Sequence, residues 1–385
     1  MSLPLRVLML SDVYFPRING VSTSIETFRA DLAAEGVAVR LVAPEYPGAG
    51  SDADIWRVPA RRLPFDPEDR LMRWRPLQRT AQRVAGEGVD LVHIQTPFAA
   101  HYAGIGIARA RRLPVVATYH THFEEYIQHY LPLLPKAMLR AAARSLARHQ
   151  CDVLDTVIVP SPAMQETLAG YGVRSPLCVL PTGIPVQQFA NGDGMRFRLR
   201  HQIAEDRRMA LYVGRVAHEK NIGFLVEAMT VGRQQDPRLL LVIAGEGPAL
   251  GALKSQVAAR GLDDHVRFVG YLDRKHELPD CYAGAEVFVF ASRTETQGLV
   301  LLEAMAAGLP VYALASLGTR SIIDPERGAV AAPDDVTAFG QGLAQLVADS
   351  PRLARLADQG RRFATEWSAP ERARQLADLY RSLVV

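Results

Sequence analysis

Cysteine is scarce in this sequence, and long apolar runs are missing from it. The 385 residues include only three cysteines, Cys151, Cys178 and Cys281, which lie far apart. An odd number at wide spacing predicts reduced structural thiols and no metal-ligand pattern. No eighteen consecutive residues are apolar, so no membrane-spanning helix is expected. The N-terminal MSLPLRVLML lacks the cleavage pattern of a signal peptide, and reduced thiols are expected in a cytoplasm.

A large charge excess of either sign is also absent. The net charge is +3, and charged residues make up 22% of the chain. Basic residues exceed acidic ones only in 1–190, by 20 to 17, whereas 191–385 has 24 of each. Such a local excess is unlike the broad positive charge of most nucleic-acid-binding proteins. Hydrophobic residues make up 48% of the chain, and its length predicts two soluble globular domains.

Short runs of β-branched and aliphatic residues alternate with helical stretches in both halves of the chain. The predicted strands are 5–11, 37–43, 90–95, 114–118, 156–160 and 177–180, then 209–213, 239–244, 266–269, 287–290 and 311–314. The alternation predicts an α/β fold with two doubly wound parallel sheets. The Pro- and Gly-containing segment 181–191 is the predicted linker. We expect one domain from 1–183 with a terminal helix 369–385, a second from 184–368, and a cleft between them.

The stretch ASRTETQGLVLLEAMAAG, residues 291–308, has the pattern of a strand end, a polar turn and a helix start. Backbone N–H groups at Gln297, Gly298, Leu299 and Val300 would have no hydrogen-bond partners within the helix, and they would lie at the positive end of its dipole. Such an end can bind hydroxyl or phosphate oxygens, and a glycine lets a ligand approach closely. Glu295 and Glu303 flank it, and carboxylates accept hydrogen bonds from sugar diols. An ordinary N-terminal acid followed by a solvated helical Glu is the alternative.

Two cations follow the first predicted strand of the second half. Arg215 and Lys220 occur in VGRVAHEKN, a loop at the carboxyl end of that strand, where ligands of open α/β sheets bind. Together they could neutralise a diphosphate, although two solvated surface charges are possible. Gly245 and Gly247 suggest a dinucleotide-binding motif, but the third glycine, Gly251, is one residue away from its position in the GxGxxG fingerprint. A tight turn is therefore favoured.

Three further motifs in the first half allow more than one interpretation. Asn19–Gly20 precedes a helix expected over 22–36, so the turn could meet an anionic oxygen or be an ordinary strand–helix connection. His120 ends a predicted strand, near His122, Glu124 and Glu125, and could contact a substrate hydroxyl or be structural. The DxD at 52–54 has no predicted strand to hold it, which favours a solvated loop over a metal site.

A basic segment with apolar partners spans residues 61–83 and holds seven arginines against three acids. Such a segment can lie in the interface of an anionic membrane. The candidate docking residues are Arg62, Arg73, Trp74, Arg75, Arg79 and Arg83. A second basic row, Lys136, Arg140, Arg144 and Arg148, follows a predicted helix at four-residue spacing. Each row could instead be a solvated helix face.

Taken together, these motifs resemble a known family. The Glu295-x7-Glu303 pair, the Gly214-Arg215…Lys220 loop, the PRINGVS turn and the YHTHF histidine recur in this order in retaining glycosyltransferases of family 4. IQTPF, TYHTHFEEY and TETQGLVLLEA are most similar to bacterial diacylglycerol α-glucosyltransferases and phosphatidylinositol mannosyltransferases. The resemblance implies the GT-B fold, a nucleotide-sugar donor, and a cytosolic enzyme that docks peripherally on the inner face of the cell membrane.

The resemblance also implies residue roles. Arg215 and Lys220 would hold the donor diphosphate, with the backbone of Gly20 approaching the same phosphates. Glu303 would accept the ribose hydroxyls, and the backbone around Tyr271 would contact the base. Glu295, Gln297, Gly298 and Leu299 would fix the transferred sugar, and His120 would contact its 6-hydroxyl region. Many relatives have Phe where this sequence has Gln297, although lipid-glycosylating members often have Gln.

The implied reaction is metal-independent transfer of a hexose with retention of configuration, without a separate cofactor. UDP-glucose and 1,2-diacylglycerol are the favoured substrates. The alternatives are a GDP-mannose donor, another lipid or a soluble acceptor, and a sugar-nucleotide epimerase. Because base contacts in this fold are largely made by backbone, the sequence leaves the base and the hexose open.

Overall fold

The computed structural model describes residues 4–62, 70–120, 136–323 and 327–384. The chain divides into two compact units, Met1–Gly183 with Ala369–Val385 and Ile184–Ser368. The division after residue 183 lies within the Pro- and Gly-containing segment 181–191.

The first unit is built on a seven-stranded parallel sheet. Its strands are β1 (Leu5–Leu10), β2 (Val37–Pro44), β3 (Ile55–Val58), β6 (Leu91–Ile94), β7 (Val115–Thr118), β8 (Thr156–Val159) and β9 (Leu177–Val179). A separate two-stranded sheet consists of β4 (Ala60–Arg62) and β5 (Arg70–Met72). The sheet order is β3-β2-β1-β6-β7-β8-β9, and β4 pairs with β5 in antiparallel fashion. Every residue of β6 and β8 is buried, as expected for a parallel sheet covered on both faces.

Helices cover this sheet. They are α1 (Gly20–Leu32), α2 (Trp74–Gly86), α3 (Ala99–Arg111), α4 (Lys136–Cys151), α5 (Pro162–Gly170) and, from the end of the chain, α14 (Ala369–Leu383). The sequence explains where they start: the Asn19 side chain accepts from Ser22 N at 2.8 Å, and Ser161 caps α5 ahead of Pro162. α14 packs beside α1 and buries Ala373, Leu376 and Tyr380 in the core.

The second unit repeats the plan with six parallel strands. They are β10 (Arg208–Val213), β11 (Leu239–Ala244), β12 (Val266–Gly270), β13 (Val287–Phe290), β14 (Val311–Ala313) and β15 (Ala329–Ala331), in the order β12-β11-β10-β13-β14-β15. The helices are α6 (Val186–Phe189), α7 (Gly194–Arg200), α8 (Ile222–Gln235), α9 (Leu250–Ala259), α10 (Glu277–Ala283), α11 (Leu299–Ala306), α12 (Val336–Ala348) and α13 (Ser350–Thr365). The short 3₁₀ turns His218–Lys220 and Leu317–Ser321 complete it.

The predicted fold class is confirmed, with local corrections. Strands β3, β4, β5 and β15 were not predicted. The DxD directly precedes β3, so the view that no strand holds it was wrong, and Asp52 pairs with Arg29 at 3.0 Å. Helix α1 begins at Gly20 because Asn19 caps it, two residues before the predicted start. Among the described residues, no helix is both long and apolar enough to cross a membrane.

Candidate active site

The order of each sheet marks where a ligand can bind. In the second unit the chain first adds strands on one side of β10 and then, from β13, on the other. Loops that leave the carboxyl ends of two strands at such a switch point diverge and open a crevice. The loop after β10 carries Arg215 and Lys220, and the loop after β13 carries Glu295. The sheet therefore brings these two loops to the same edge, although Arg215 and Glu295 are 80 positions apart in the chain.

An ion pair joins the two loops directly. Lys220 Nζ donates to Glu295 Oε1, and each side chain is 18% exposed. Asn221, in a left-handed conformation at φ 55°, donates its side-chain amide to Ala291 O at 3.1 Å. This hydrogen bond holds the end of the loop that carries Arg215 and Lys220 against the end of β13. Arg215 lies in the same loop, its Nη1 3.7 Å from Glu219 Oε1.

The Gly245–Gly247 turn supports this loop from the side of β11. Gly245 and Gly247 have φ of 140° and 155°, and a Cβ on them would lie 2.0 Å from Gly214 O and 2.4 Å from Val216 O. The turn also accepts a hydrogen bond, from Val216 N to Glu246 O at 2.8 Å. These glycines are required for close backbone packing, which agrees with the tight-turn interpretation.

The start of α11 lies beside the ion pair. Gly298 caps the helix at φ 93° and ψ 53°, and Leu299 is its first residue. Glu295 O accepts from Gly318 N at 2.9 Å, which ties the turn to the Leu317–Ser321 segment. Gln297 is buried, with 5% exposure. The predicted geometry of strand, turn and helix N-terminus is confirmed here, and its positive end is suited to oxygen ligands.

Glu303 is one helical turn further along α11 and is buried. Its carboxylate accepts from Arg274 Nη2 at 2.5 Å and from Tyr282 Oη at 3.0 Å. The solvated-residue alternative for Glu303 is therefore wrong, because its side chain is only 2% exposed. The Glu303 charge holds the pKa of Arg274 above its usual value, and burial raises that of the Tyr282 phenol. Tyr271, in the loop after β12, is 41% exposed.

In the first unit, the same topological logic selects the loops after β1 and β6. Gly20 is the first residue of α1, and a Cβ placed on it would meet nothing within 4 Å. Glycine at this position is therefore not required by packing, which leaves close approach of a ligand as a reason for it. His120 follows β7, and its Nε2 lies 2.9 Å from Oε1 of Gln95, the residue after β6. Burial lowers the pKa of His120 to about 4, so its imidazole is neutral near pH 7.

Two polar residues of this region were missed by the sequence analysis. Asp12, after β1, accepts from Ala100 N at 3.1 Å and from the Thr96 hydroxyl at 2.7 Å, which caps α3. Burial raises its pKa to about 6. Gln95 is the other. Gln95 directly follows β6 and Asp12 is the second residue after β1, and these positions at strand ends were the available signal. His122, Glu124 and Glu125 lie outside the described residues.

The predicted docking residues lie at the end of β4 and in or just before α2. Arg62, Arg73, Trp74, Arg75, Arg79 and Arg83 are all exposed, and we call them the basic patch. Trp74 is 44% exposed and Leu71 is 49% exposed. The segment is not one amphipathic element, however, because Met72 and Leu77 are buried and α2 turns its apolar side inward. Residues 63–69 lie outside the described residues. Of the second row, Arg140, Arg144 and Arg148 are exposed on α4.

The described residues contain no group of three or more His, Cys, Asp or Glu side chains that could hold a metal ion. The three cysteines are free thiols, of which Cys151 and Cys281 are buried.

Comparison with known proteins places this geometry in a family. Residues 18–188 match the model described as Glycosyltransferase Family 4, and residues 196–363 match Glycosyl transferases group 1. The chain is 33% identical over 319 residues to alpha-monoglucosyldiacylglycerol synthase of Streptococcus pneumoniae, covering 80% of this chain and 71% of that protein. It is 27% identical over 385 residues to a GDP-mannose-dependent alpha-(1-6)-phosphatidylinositol monomannoside mannosyltransferase of Mycolicibacterium smegmatis, covering 97% of each.

Solved structures show the same fold. Sucrose-phosphate synthase from Thermosynechococcus elongatus superposes with a TM-score of 0.81 at 23% identity, over 98% of this chain and 99% of that one. An Anabaena protein in complex with UDP and glucose gives 0.80 at 18% identity, over 98% and 100%. At these identities the likeness concerns the fold alone. The matched models and the 33% identical relative establish that this chain belongs to glycosyltransferase family 4 and is a glycosyltransferase of the GT-B fold.

Proposed function

We propose that this enzyme transfers glucose from UDP-glucose to 1,2-diacylglycerol at an anionic membrane surface and forms an α-glycosidic bond. The observation that carries the lipid acceptor is the 33% identity to a monoglucosyldiacylglycerol synthase, and the basic patch is in accord with it. The epimerase alternative is not retained, since the chain belongs to a glycosyltransferase family.

For donor binding, we assign the diphosphate to Arg215, Lys220 and the start of α11. A guanidinium, an ammonium and helix N–H groups can offset the charge of a departing diphosphate without a metal ion. Metal independence is accordingly part of the proposal. Lys220 is paired with Glu295 in the structure. The diphosphate would replace Glu295 as the partner of the Lys220 ammonium, and the Glu295 carboxylate would then accept hydrogen bonds from hydroxyls of the hexose.

For the nucleoside, we assign Glu303 to the ribose. A carboxylate has about four lone-pair sites, and Arg274 and Tyr282 occupy one on each oxygen. Two sites remain for the vicinal hydroxyls of a ribose. Backbone around Tyr271 would contact the base, as in the family resemblance.

For the chemical step, we propose that the bond between the anomeric carbon and the phosphate oxygen breaks while the acceptor hydroxyl attacks from the same face. The acceptor proton would pass to the leaving phosphate. We assign His120 to the 6-hydroxyl region of the hexose and Gly20 to the phosphates. A neutral His120 suits contact with an uncharged hydroxyl.

The acceptor would be reached at the membrane through the basic patch. Arginines on an exposed face attract anionic headgroups, and Trp74 can enter the interface. Peripheral association with the inner leaflet is therefore part of the proposal.

A second candidate is transfer of mannose from GDP-mannose to an inositol lipid. It is favoured by the length of the match, since the mannosyltransferase relative is covered over 97% against 71% for the glucosyl relative.

The deciding experiment offers radiolabelled UDP-glucose or GDP-mannose to the enzyme, with vesicles of phosphatidylglycerol that contain diacylglycerol or phosphatidylinositol. Label extracted with the lipid is counted, with EDTA present or absent. We expect UDP-glucose with diacylglycerol to give the highest rate and EDTA to leave it unchanged. Highest transfer from GDP-mannose would select the second candidate, and full turnover onto a water-soluble polyol would overturn the lipid proposal.

A further inference from the structure

Gln95 and His120 meet at the carboxyl edge of the first sheet. Gln95 follows β6 and His120 lies two residues beyond β7, strands that pair in parallel with Ile94 opposite Ala117. Gln95 is 3% exposed, and its backbone N donates to Leu10 O at 2.9 Å. Its side chain is thus held on a rigid strand end, with its Oε1 2.9 Å from His120 Nε2.

The other side of the amide fixes its orientation. Gln95 Nε2 lies 3.7 Å from Met9 Sδ. A thioether sulfur can accept a hydrogen bond but has no proton to donate, so it is matched by the NH₂ group and not by the carbonyl. The carbonyl oxygen is therefore directed at His120. A carbonyl only accepts, so the proton on this hydrogen bond belongs to His120 Nε2.

The surroundings keep this imidazole neutral. His93 lies close enough that a charge on His120 would act on it, and its own ring is held by Tyr380 Oη at 2.6 Å and Thr118 Oγ1 at 2.8 Å. His93 is buried and His120 is half-buried, and a charge on one of two adjacent imidazoles disfavours a charge on the other. A neutral ring with hydrogen on Nε2 has its lone pair on Nδ1.

We propose that Gln95 is a positioning residue that fixes His120 as the Nε2–H tautomer, so that Nδ1 accepts a hydrogen bond from a hydroxyl of the transferred sugar. The identity of that hydroxyl rests on the proposed function, whereas the tautomer does not. In the opposite tautomer, Nδ1 would carry the proton and donate. The site would then no longer favour a sugar hydroxyl that donates its hydrogen bond to His120.

Nitrogen NMR of ¹⁵N-histidine-labelled enzyme tests the tautomer directly, with His120→Gln used to assign the signal. Three variants complete the test: Gln95→Leu removes the acceptor, Gln95→Glu keeps the shape and adds a charge, and Gln165→Leu is the matched control. Gln165 is a half-buried glutamine of the same unit, and it donates to Leu177 O at 3.2 Å.

In the unaltered enzyme we expect His120 to show a protonated Nε2 and an unprotonated Nδ1. Gln95→Leu should mix the tautomers and lower kcat/KM about tenfold, the equivalent of one hydrogen bond. Gln95→Glu should raise the titration midpoint of His120 by about one unit or more. Gln165→Leu should change neither the signal nor the rate.

A protonated Nδ1 in the unaltered enzyme would overturn the proposal. So would a Gln95→Leu variant that folds and keeps the original tautomer. If Gln95→Leu fails to fold, the midpoint in Gln95→Glu decides, and an unmoved midpoint counts against the proposal. If no sugar is transferred to any acceptor, the proposed function fails while the tautomer is still read from the spectrum.

Discussion

Lys220 and Glu295 form an ion pair between the loops after β10 and β13, and both side chains are 18% exposed. In the proposed function, a diphosphate competes with Glu295 for the Lys220 ammonium. The two partners therefore have opposite effects on the binding of a nucleotide that lacks the sugar.

Lys220→Met should weaken UDP binding about tenfold, because one cation is lost from the diphosphate site. Glu295→Gln should instead strengthen UDP binding a few-fold, by removing the competitor, while it lowers transfer by about a hundredfold. Calorimetric titration with UDP and the transfer assay give both values. The exposed pair Arg260 and Glu227, 2.7 Å apart, supplies the control: Arg260→Met and Glu227→Gln should leave both unchanged. Weaker UDP binding by Glu295→Gln would refute the competition.

Tyr282→Phe should reduce affinity for the nucleotide because the Glu303 carboxylate loses one of two groups that orient it. We expect a three- to tenfold rise in the donor KM, from about 1 kcal/mol for one hydrogen bond. Tyr312→Phe is the matched control, since its buried hydroxyl donates to Phe339 O at 3.4 Å in the same unit. The control should lower thermal stability without changing KM. Equal changes in KM for both variants would mean that Tyr282 acts on stability alone.

Replacing Arg73, Arg75, Arg79 and Arg83 of the basic patch by Ser should release the enzyme from anionic vesicles. At about 1 kcal/mol per arginine near the surface, the partition coefficient should fall by up to about a thousandfold at low salt. Sedimentation with phosphatidylglycerol vesicles measures it. A matched variant changes four exposed arginines of α13, namely Arg352, Arg355, Arg361 and Arg362, to Ser. Comparable loss in both variants would show that total charge, and not the patch, drives docking.

His93 should make the first unit sensitive to acid. Burial, and then the nearby His120, lower the pKa of His93 to about 3, below the ordinary 6.5. The unfolded chain therefore binds this proton more readily, and stability falls as the pH drops below about 6.5. At pH 5 the loss from His93 is about 2 kcal/mol.

His93→Gln cannot take up that proton, so its unfolding free energy should depend less steeply on pH between 7 and 5. Urea unfolding in a Trp367→Phe background measures this, because the remaining tryptophans, Trp56 and Trp74, belong to the first unit. An unchanged pH dependence would indicate that His93 titrates alike in the folded and unfolded states.

The sequence was sufficient for the fold class because continuous apolar strands alternate with helices, as in β11 and β13, where every residue is buried. It was insufficient for β3 and β15. In these two edge strands most residues are only partly buried, and their register depends on pairing with β2 and β14. Such strands lack the continuous apolar run that marks a buried central strand.

The candidate site shows the same division. Gly298, Lys220 and Glu295 were found from local patterns at strand ends. The partners of Glu303 were not, because Arg274 and Tyr282 lie 29 and 21 positions away in the chain. Nor does spacing alone tell a buried helical carboxylate from a solvated one, since the difference depends on α10 and on the loop before it.

The proposed reaction is tested by the anomeric configuration and identity of its lipid product. Enzyme is incubated with UDP-[¹³C]glucose and phosphatidylglycerol vesicles that contain diacylglycerol, and the extracted lipid is examined by NMR. We expect a single α-glucosyl diacylglycerol, with no β-anomer and no dependence on added metal. A β-glucoside, or labelled glucose found only in the aqueous phase, would contradict it.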